Sequence, residues 1–169
     1  MGKKAIEIVE EKGMKVDEVI GLLQKAYADE WLAYYQYWIG AKVAEGAMRT
    51  SVQAELEEHA KEELEHADKV AERIIQLGGT PILEPKDWYK HTNCGYDAPA
   101  DPDVIELLKQ NISAERCAIE VYKKLFEATK GKDILTAKLA LHIMEDEIEH
   151  EHDLEDLQKD IEHIQTKKA

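Results

Sequence analysis

Apolar and small residues recur every three or four positions along four long stretches of this 169-residue chain. That spacing places them on one face of an α-helix, so each stretch predicts a long amphipathic helix. The predicted helices span residues about 17–45, 51–77, 102–130 and 133–163, with a loop at 78–101. Their ends are marked by caps and breakers, namely Asp17, Gly46, Thr50 with Gln53, Gly78-Gly79, Asp101-Pro102, Gly131 and Asp133. The chain is therefore predicted to be all-α.

The connections between the predicted helices are short, long and short in turn. Each helix has 27 or more residues and is therefore ~40 Å long at a rise of ~1.5 Å per residue. Two short connections and one long crossover, here residues 78–101, match the four-helix bundle of ferritin-like folds. No helical pattern remains after Ile164, so no fifth helix is expected. Residues 1–169 are predicted to form a single domain.

The chain carries a formal net charge of −14 and has no basic run longer than two residues. A stripe of Lys or Arg is the minimum needed to bind a phosphate backbone, so nucleic-acid binding is not expected. No apolar run approaches the ~20 residues of a membrane span, and the N-terminus lacks the apolar core of a signal peptide. The predicted location is the cytoplasm, without membrane association, where cysteines are normally reduced.

Six polar residues interrupt the apolar faces near the middle of the four predicted helices: Glu30, Glu63, His66, Glu115, Glu147 and His150. Glu30, for example, lies between Ala26 and Ala33 on the same face. An ionised carboxylate in an apolar interior costs many kcal/mol unless it is paired or bound to metal. Two imidazoles would balance at most half of four carboxylates, whereas two divalent cations would balance all of them. The residues therefore predict a two-metal site, with a buried salt-bridge network as the alternative.

The spacing of these residues indicates which metal they would bind. Di-iron carboxylate proteins use one Glu from each of two helices and a Glu-x-x-His motif from each of the other two. Here the motifs are Glu63–His66 and Glu147–His150, and oxygen-rich ligation with two imidazoles favours Fe or Mn over structural Zn. An overlapping motif, Glu149–His152, lies on a charged face and is interpreted as solvated surface. Glu147–His150 is preferred because it lies between Ile143 and Leu154.

From about Asp17 to Ile161 the sequence resembles bacterioferritins and, more closely, the DPS-like ferritins called thioferritins. The matching segments are Asp29–Tyr37, Glu63–Lys69, Leu77–Pro81, Glu115–Tyr122 and Glu147–His150. The resemblance implies that Glu30, Glu63 and His66 ligate one iron, and that Glu115, Glu147 and His150 ligate the other. It also implies that Glu63 and Glu147 bridge the two irons.

Two departures from these families refine the expectation. Bacterioferritins that bind haem carry Met where Leu64 stands here, and Leu cannot ligate iron, so no haem of that kind is expected. The missing fifth helix implies a DPS-like homo-oligomeric cage of twelve subunits rather than a larger ferritin shell. Ordinary Dps proteins bind iron between subunits through residues that this chain lacks. The site is therefore expected within one subunit.

The resemblance extends to the cysteines, because thioferritins place one in the loop before the third long helix and one within that helix. Cys94 and Cys117 occupy those positions. They would form a redox pair that exchanges electrons or forms a disulfide under oxidant. The alternative is a loop thiol and a buried thiol that never meet.

Further residues are candidates to support the site. Tyr37 lies two turns from Glu30 on the same face and would either take part in electron transfer or fill the core. Tyr122 and Asp146 are candidates to hydrogen-bond the ligands, with ordinary core or surface roles as the alternative. A group of carboxylates is interpreted as a solvated face, with an iron route as the alternative: Glu57, Glu58, Glu62 and Glu65.

The residues and the resemblance together predict a ferroxidase with iron storage. The site would bind two Fe(II), pass their electrons to H2O2 or O2, and release Fe(III) for mineralisation in the cage, which protects against oxidative stress. The resemblance favours peroxide, and Mn or Zn are possible substitutes for Fe. The first alternative is an erythrin-like di-iron peroxidase or a manganese catalase without storage. The second is a structural or DNA-compacting shell whose buried ions only stabilise it.

Overall fold

A computed structural model describes residues 3–167 of the chain, almost all of it in helices. The α-helices are α1 (Lys3–Glu10), α2 (Val16–Val43), α3 (Arg49–Gln76), α4 (Trp88–His91), α5 (Val104–Thr129) and α6 (Ile134–Thr166), and a 3-10 turn covers Pro85–Asp87. Among these helices, none is both long and apolar enough to cross a membrane. That residues 1–169 form one domain stays a prediction.

The four long helices form the bundle that the sequence predicts. Helix α2 packs along α3, and α5 packs along α6, while α2 also contacts α5 and α3 contacts α6. The long crossover joins α3 to α5, so the predicted ferritin-like architecture is confirmed. Helix α6 continues to Thr166, and the described part of the chain ends one residue later without a further long helix.

The helix ends agree only in part with the caps that the sequence suggested. Asp133 is the N-cap of α6, and its side chain accepts a hydrogen bond from the backbone N–H of Thr136. Helix α5 begins later than expected, with Asp103 as its N-cap. The Thr50 capping box is wrong, because α3 begins at Arg49 after Met48 in the left-handed region at φ 56°. The capping residues in the sequence therefore predict that a helix begins nearby, but they do not fix its first residue.

The apolar core is divided into two clusters along the bundle axis. One cluster contains the side chains of Leu56, Leu107 and Leu154. The other contains those of Leu23 and Ile74, with further apolar residues of all four long helices. In each long helix, the residues of the two clusters are separated by the polar positions singled out in the sequence. The folding of the apolar faces therefore places these polar side chains at mid-bundle.

The crossover is fastened along α2 rather than left as a free loop. Trp88 of α4 stacks on Trp31 with ring centroids 5.1 Å apart and planes 5° apart. The carboxylate of Asp29 accepts hydrogen bonds from the backbone N–H groups of Asn93, at 2.8 Å, and Cys94, at 3.0 Å. These contacts fix the position of Cys94 beside α2. The sequence missed the helical turns here because they are too short to show a period.

Candidate metal centre

The six polar residues predicted as ligands come together in the middle of the bundle. Their side chains come from α2 (Glu30), α3 (Glu63 and His66), α5 (Glu115) and α6 (Glu147 and His150), and all are at most 2% exposed. Their ligand atoms form two groups, each within 4.8 Å: Glu30, Glu63, His66 and Glu147, then Glu63, Glu115, Glu147 and His150. Glu63 and Glu147 belong to both groups. Two carboxylates are therefore shared between two potential cation positions.

Each histidine directs its Nδ1 atom into one of the two groups. Nδ1 of His66 lies 3.3 Å from Oε1 of Glu147 and 3.5 Å from Oε2 of Glu30. Nδ1 of His150 lies 3.2 Å from Oε2 of Glu147 and 3.4 Å from Oε1 of Glu63. The two oxygens of Glu147 thus face different histidines, as a carboxylate between two cations would require.

Several inward-facing atoms of the cluster are buried and have no hydrogen-bond partner within the described chain. They are Oε2 of Glu30, Nδ1 of His66, Oε2 of Glu115, both Oε atoms of Glu147, and Nδ1 of His150. Buried polar atoms are nearly always satisfied, because an unpaired one costs ≈ 1–3 kcal/mol or more if charged. Cations between these oxygens and nitrogens would satisfy all of them at once. The donor set therefore fits a pair of divalent metal ions.

The outer sides of three of these residues are held by neighbouring side chains. The hydroxyl of Tyr122 donates to Glu30, and that of Tyr37 donates to Glu115. Nε2 of His66 lies 3.1 Å from Oδ2 of Asp146. Such partners fix the orientation and tautomer of metal-binding residues. Tyr37, Tyr122 and Asp146 therefore contact the candidate ligands, and their functional roles stay predictions.

Glu62 makes a contact that the sequence interpretation missed. Its Oε2 atom lies 2.5 Å from Nε2 of His150, although the Glu62 side chain is 45% exposed. Its partner lies on α6, 88 residues later, so no spacing along α3 could reveal the contact. Glu62 therefore contacts Nε2 of His150 in the same way as Asp146 contacts Nε2 of His66. The interpretation of Glu62 as solvated face alone is incomplete.

Burial and mutual repulsion favour protonation of two carboxyls. Burial raises the pKa of Glu30 and Glu115 well above the usual range, and the charges of Glu63 and Glu147 add to the effect. Desolvation also opposes ionisation of Glu63, but the neighbouring imidazoles of His150 and His66 lower its pKa to about 2 overall. The carboxyls of the cluster therefore differ in how readily they ionise.

The imidazoles retain protons for the complementary reason. Burial alone would lower the pKa of His150, but the nearby carboxylates of Glu147 and Glu63 outweigh it and raise the pKa to about 12. The same competition, with Glu147 and Glu30 as partners, raises the pKa of His66 well above its ordinary value. Without metal the cluster therefore balances its carboxylates with protons, which incoming cations would have to displace.

A cavity of about 360 Å³ opens between α3 and α6 beside the two histidines. Its wall is mostly acidic and includes the side chains of His59, Glu62, His66, Asp146 and His150. The ring of His59 stacks on that of His150, with centroids 4.0 Å apart. Burial and the neighbouring His150 lower the pKa of His59 to about 3. This cavity gives cations a negatively charged approach to the cluster.

Cys94 and Cys117 form a disulfide, with their Cα atoms 5.8 Å apart. A cavity of about 30 Å³ is lined by Cys94 and by cluster residues that include Glu30, Glu63 and Glu115. The two cysteines therefore meet beside the cluster. That the pair has a redox role stays a prediction.

Two other positions treated in the sequence lie away from the cluster. His152 of the overlapping motif is 68% exposed and contacts Asp156 on its own helix, and Glu149 is exposed as well. Leu64 is 40% exposed and borders a surface pocket with Tyr27 and Trp31. The absence of haem at Leu64 stays a prediction.

Comparisons with known proteins agree with the architecture and the motifs. The chain matches the ferritin family, described as a ferritin-like domain, over residues 20–164. A DNA protection during starvation protein from Pyrococcus furiosus is 36% identical over 152 residues, covering 89% of this chain and 82% of that protein. A bacterial ferritin from Paramagnetospirillum magnetotacticum is 28% identical over 144 residues, covering 85% and 81%.

Similar solved structures extend this picture. A dodecameric thioferritin, the bacterioferritin-related protein from Bacteroides fragilis, superposes with a TM-score of 0.95 and 48% identity over 98% of both chains. Dps from Thermosynechococcus elongatus superposes with a TM-score of 0.79 at 22% identity, over 83% of this chain and 90% of that one. The second similarity concerns the fold alone. Together they confirm the resemblance inferred from the sequence motifs.

Proposed function

This chain belongs to the ferritin-like domain family, and from that premise we propose that it is a ferroxidase that stores iron. In this proposal Glu30, Glu63, His66, Glu115, Glu147 and His150 bind two Fe(II) ions as the substrate. The observation that carries it is the set of buried, unpartnered oxygen and nitrogen atoms that face one another across the cluster. Two protonated imidazoles could balance at most two of the four carboxylates, whereas two divalent cations would satisfy all of these atoms.

The reaction balances with peroxide as the oxidant. Two Fe(II) give up one electron each, and one H2O2 with two protons takes both electrons and becomes two waters. The four carboxylates match the charge of two divalent ions, so oxidation to Fe(III) leaves an excess positive charge. That excess favours the binding of hydroxide to Fe(III). It also favours release of Fe(III) into the acidic cavity. With O2 as the oxidant, the same transfer would leave H2O2 or require further Fe(II).

Storage is proposed from the assembly of a similar protein. The Bacteroides fragilis structure that superposes on this chain is described as a dodecamer. A closed twelve-subunit cage of this chain, with the α3–α6 cavity open to its interior, would collect Fe(III) next to the site of its formation. Light scattering should then give a mass of about 230 kDa, twelve times the chain mass of 19.3 kDa.

The test is the iron retained per chain after repeated additions of Fe(II) and H2O2 followed by gel filtration. Retention far above two irons per chain in the assembly supports storage. The variant that tests the site carries Glu30→Gln and Glu115→Gln, which keep the shape of the site and remove two of its carboxylates. Equal rates of Fe(II) oxidation in the variant and the natural chain would overturn the ferroxidase assignment.

The disulfide beside the cluster supports one alternative, a di-iron peroxidase of the erythrin-like type without storage. In that case Cys94 and Cys117, as thiols, would give two electrons and two protons to one H2O2 and become the disulfide. A manganese catalase would instead need no thiol. Retention of about two metals per chain, with peroxide consumed as long as a thiol reductant is present, identifies the peroxidase.

A further inference from the structure

We propose that Glu55, His59 and Asp153 form a third metal site, which binds a divalent first-row transition-metal cation at the wall of the α3–α6 cavity. Glu55 and His59 lie one turn apart on α3, and Asp153 lies on α6. Their ligand atoms all lie within 4.8 Å of one another, with Nε2 of His59 3.3 Å from Oε1 of Glu55. None of the three residues belongs to the six-residue cluster.

His59 is an unusual residue for the core of the bundle. Its side chain is 2% exposed, yet it lines the cavity, and its Nε2 atom is the nitrogen that faces Glu55. The other ring nitrogen, Nδ1, has no hydrogen-bond partner in the described chain. A core histidine with a purely structural role would normally have both ring nitrogens satisfied. A neutral imidazole is the commonest metal ligand in proteins, and here its Nε2 atom lies close to the carboxylates of Glu55 and Asp153.

The charges around His59 also favour a cation. Burial raises the pKa of Glu55, and repulsion from the carboxylates of Asp153 and Glu58 raises it further. The positive groups near Glu55 and Asp153 therefore do not balance the negative charge around these two carboxylates. A divalent ion between Glu55 and Asp153 would reverse that repulsion.

The donor set limits the class of cation and the strength of binding. One imidazole and two carboxylates suit Fe(II), Mn(II) or Zn(II), and their number leaves coordination positions open to water. Fewer ligands and a partly exposed position make this site weaker and faster to exchange than the six-residue cluster. Since His59 stacks on His150, a cation here would lie next to that cluster. A role as a waiting position for Fe(II) rests on the proposed function, whereas the binding itself does not.

Zn(II) is the probe that tests the site without redox chemistry. Equilibrium dialysis of the assembled protein should give about three Zn(II) per chain, and crystals soaked in Zn(II) should show a third anomalous peak between Glu55, His59 and Asp153. In a variant with Glu55→Gln and Asp153→Asn, the third peak should disappear and the third ion should bind at least about tenfold more weakly. The peaks of the six-residue cluster should remain.

A matched control removes the same number of charges from the same cavity. Glu65 and Glu149 are exposed residues of its wall outside the proposed triad, so Glu65→Gln with Glu149→Gln should leave three Zn(II) bound. Two peaks in the natural chain, or a third ion unaffected by the triad variant, overturn the inference. A peak at the triad together with an empty six-residue cluster would uphold the inference and overturn the proposed function.

Discussion

Each histidine of the candidate centre contacts carboxylates through both of its ring nitrogens. For His66 the outer partner is Asp146, and for His150 it is Glu62, while Nδ1 faces the cluster in both. An outer carboxylate holds the ring in one orientation and makes the inner nitrogen a stronger donor to metal. The two halves of the site therefore have the same chemistry. Their outer carboxylates, however, come from different helices, Asp146 from α6 and Glu62 from α3.

Replacement of His150 by alanine should remove one of the two cation positions of the cluster. We expect about one Zn(II) fewer per chain and a loss of Fe(II) oxidation on the order of tenfold or more, because a directly bound ligand matters at least as much as its outer partners. Metal content and the rate of the ferric absorbance increase measure the two effects. His152→Ala is the matched control, since His152 is 68% exposed and lies on the same helix. Equal effects of the two variants would contradict the choice between the overlapping motifs.

Metal affinity should rise steeply with pH across the neutral range. The pKa values of His66, His150, Glu30 and Glu115 are all raised, so these groups keep protons to higher pH than usual, and cations must displace the protons that remain. Lower pH strengthens this competition and weakens binding, and higher pH relieves it. Calorimetry of Zn(II) binding in buffers of different ionisation enthalpy counts the protons released. We expect protons to be released when each metal ion binds, and a value near zero would contradict the raised pKa values.

The six candidate ligands were found in the sequence because each interrupts an apolar helical period. Glu62 and His59 were missed for the opposite reason. Glu62 belongs to the exposed face of α3 by its period, and its importance comes from His150 on another helix. His59 was absent from the interpretation because the ring nitrogens of a buried histidine can be judged only against their neighbours. Periodicity thus reveals which residues are buried, and contacts between helices decide which exposed residues support them.

At the scale of the elements, a buried ion pair connects α3 to the start of α6. Nη2 of Arg73 donates to Oδ1 of Asp133 at 2.8 Å, and Nε donates to Oγ1 of Thr136 at 2.8 Å. Burial opposes the charge on Asp133, but bonds from Thr136 and Arg73 leave its pKa below the usual value. Asp133 therefore both caps α6 and holds its first turn against α3.

Asp133→Asn should destabilise the protein by about 3–5 kcal/mol, because it leaves the buried guanidinium of Arg73 without its counter-charge. Asparagine can still cap α6, so the loss reports on the ion pair rather than on the cap. The denaturation midpoint at a fixed protein concentration measures it. Glu106→Gln removes an exposed partner of Lys109 on α5 and should change the midpoint little. A similar shift in both variants would mean that the buried pair contributes no more than a surface pair.

The order and number of the long helices could be predicted from the sequence, because each carries more than six turns of apolar period. The start of α3 could not, since Met48 adopts a left-handed conformation that no capping residue announces. The crossover was also beyond prediction in detail. Its four-residue helix α4 is fixed by the stacking of Trp88 on Trp31, a contact across 57 positions of sequence.

At the scale of the whole molecule, charge governs which ligands the surface attracts. The chain contains 36 acidic and 22 basic residues. A twelve-subunit cage would multiply the net charge of −14, and such a surface gathers cations and repels phosphate backbones. The cavity between α3 and α6 is consistent with that bias, since its acidic wall leads from solvent to His66 and His150. The same negative charge that attracts cations should therefore oppose association with nucleic acid.

Double-stranded DNA should show no retardation by this protein in a mobility-shift assay at ~50 mM salt. The relative from Pyrococcus furiosus is named for DNA protection, whereas we expect this chain not to bind DNA. The basic pairs available are Lys3–Lys4, Lys123–Lys124 and Lys167–Lys168. A few lysines per chain could neutralise only a few phosphates, against strong repulsion from the acidic surface. A shift that survives replacement of all six lysines by alanine would show another mode of binding and contradict the electrostatic argument.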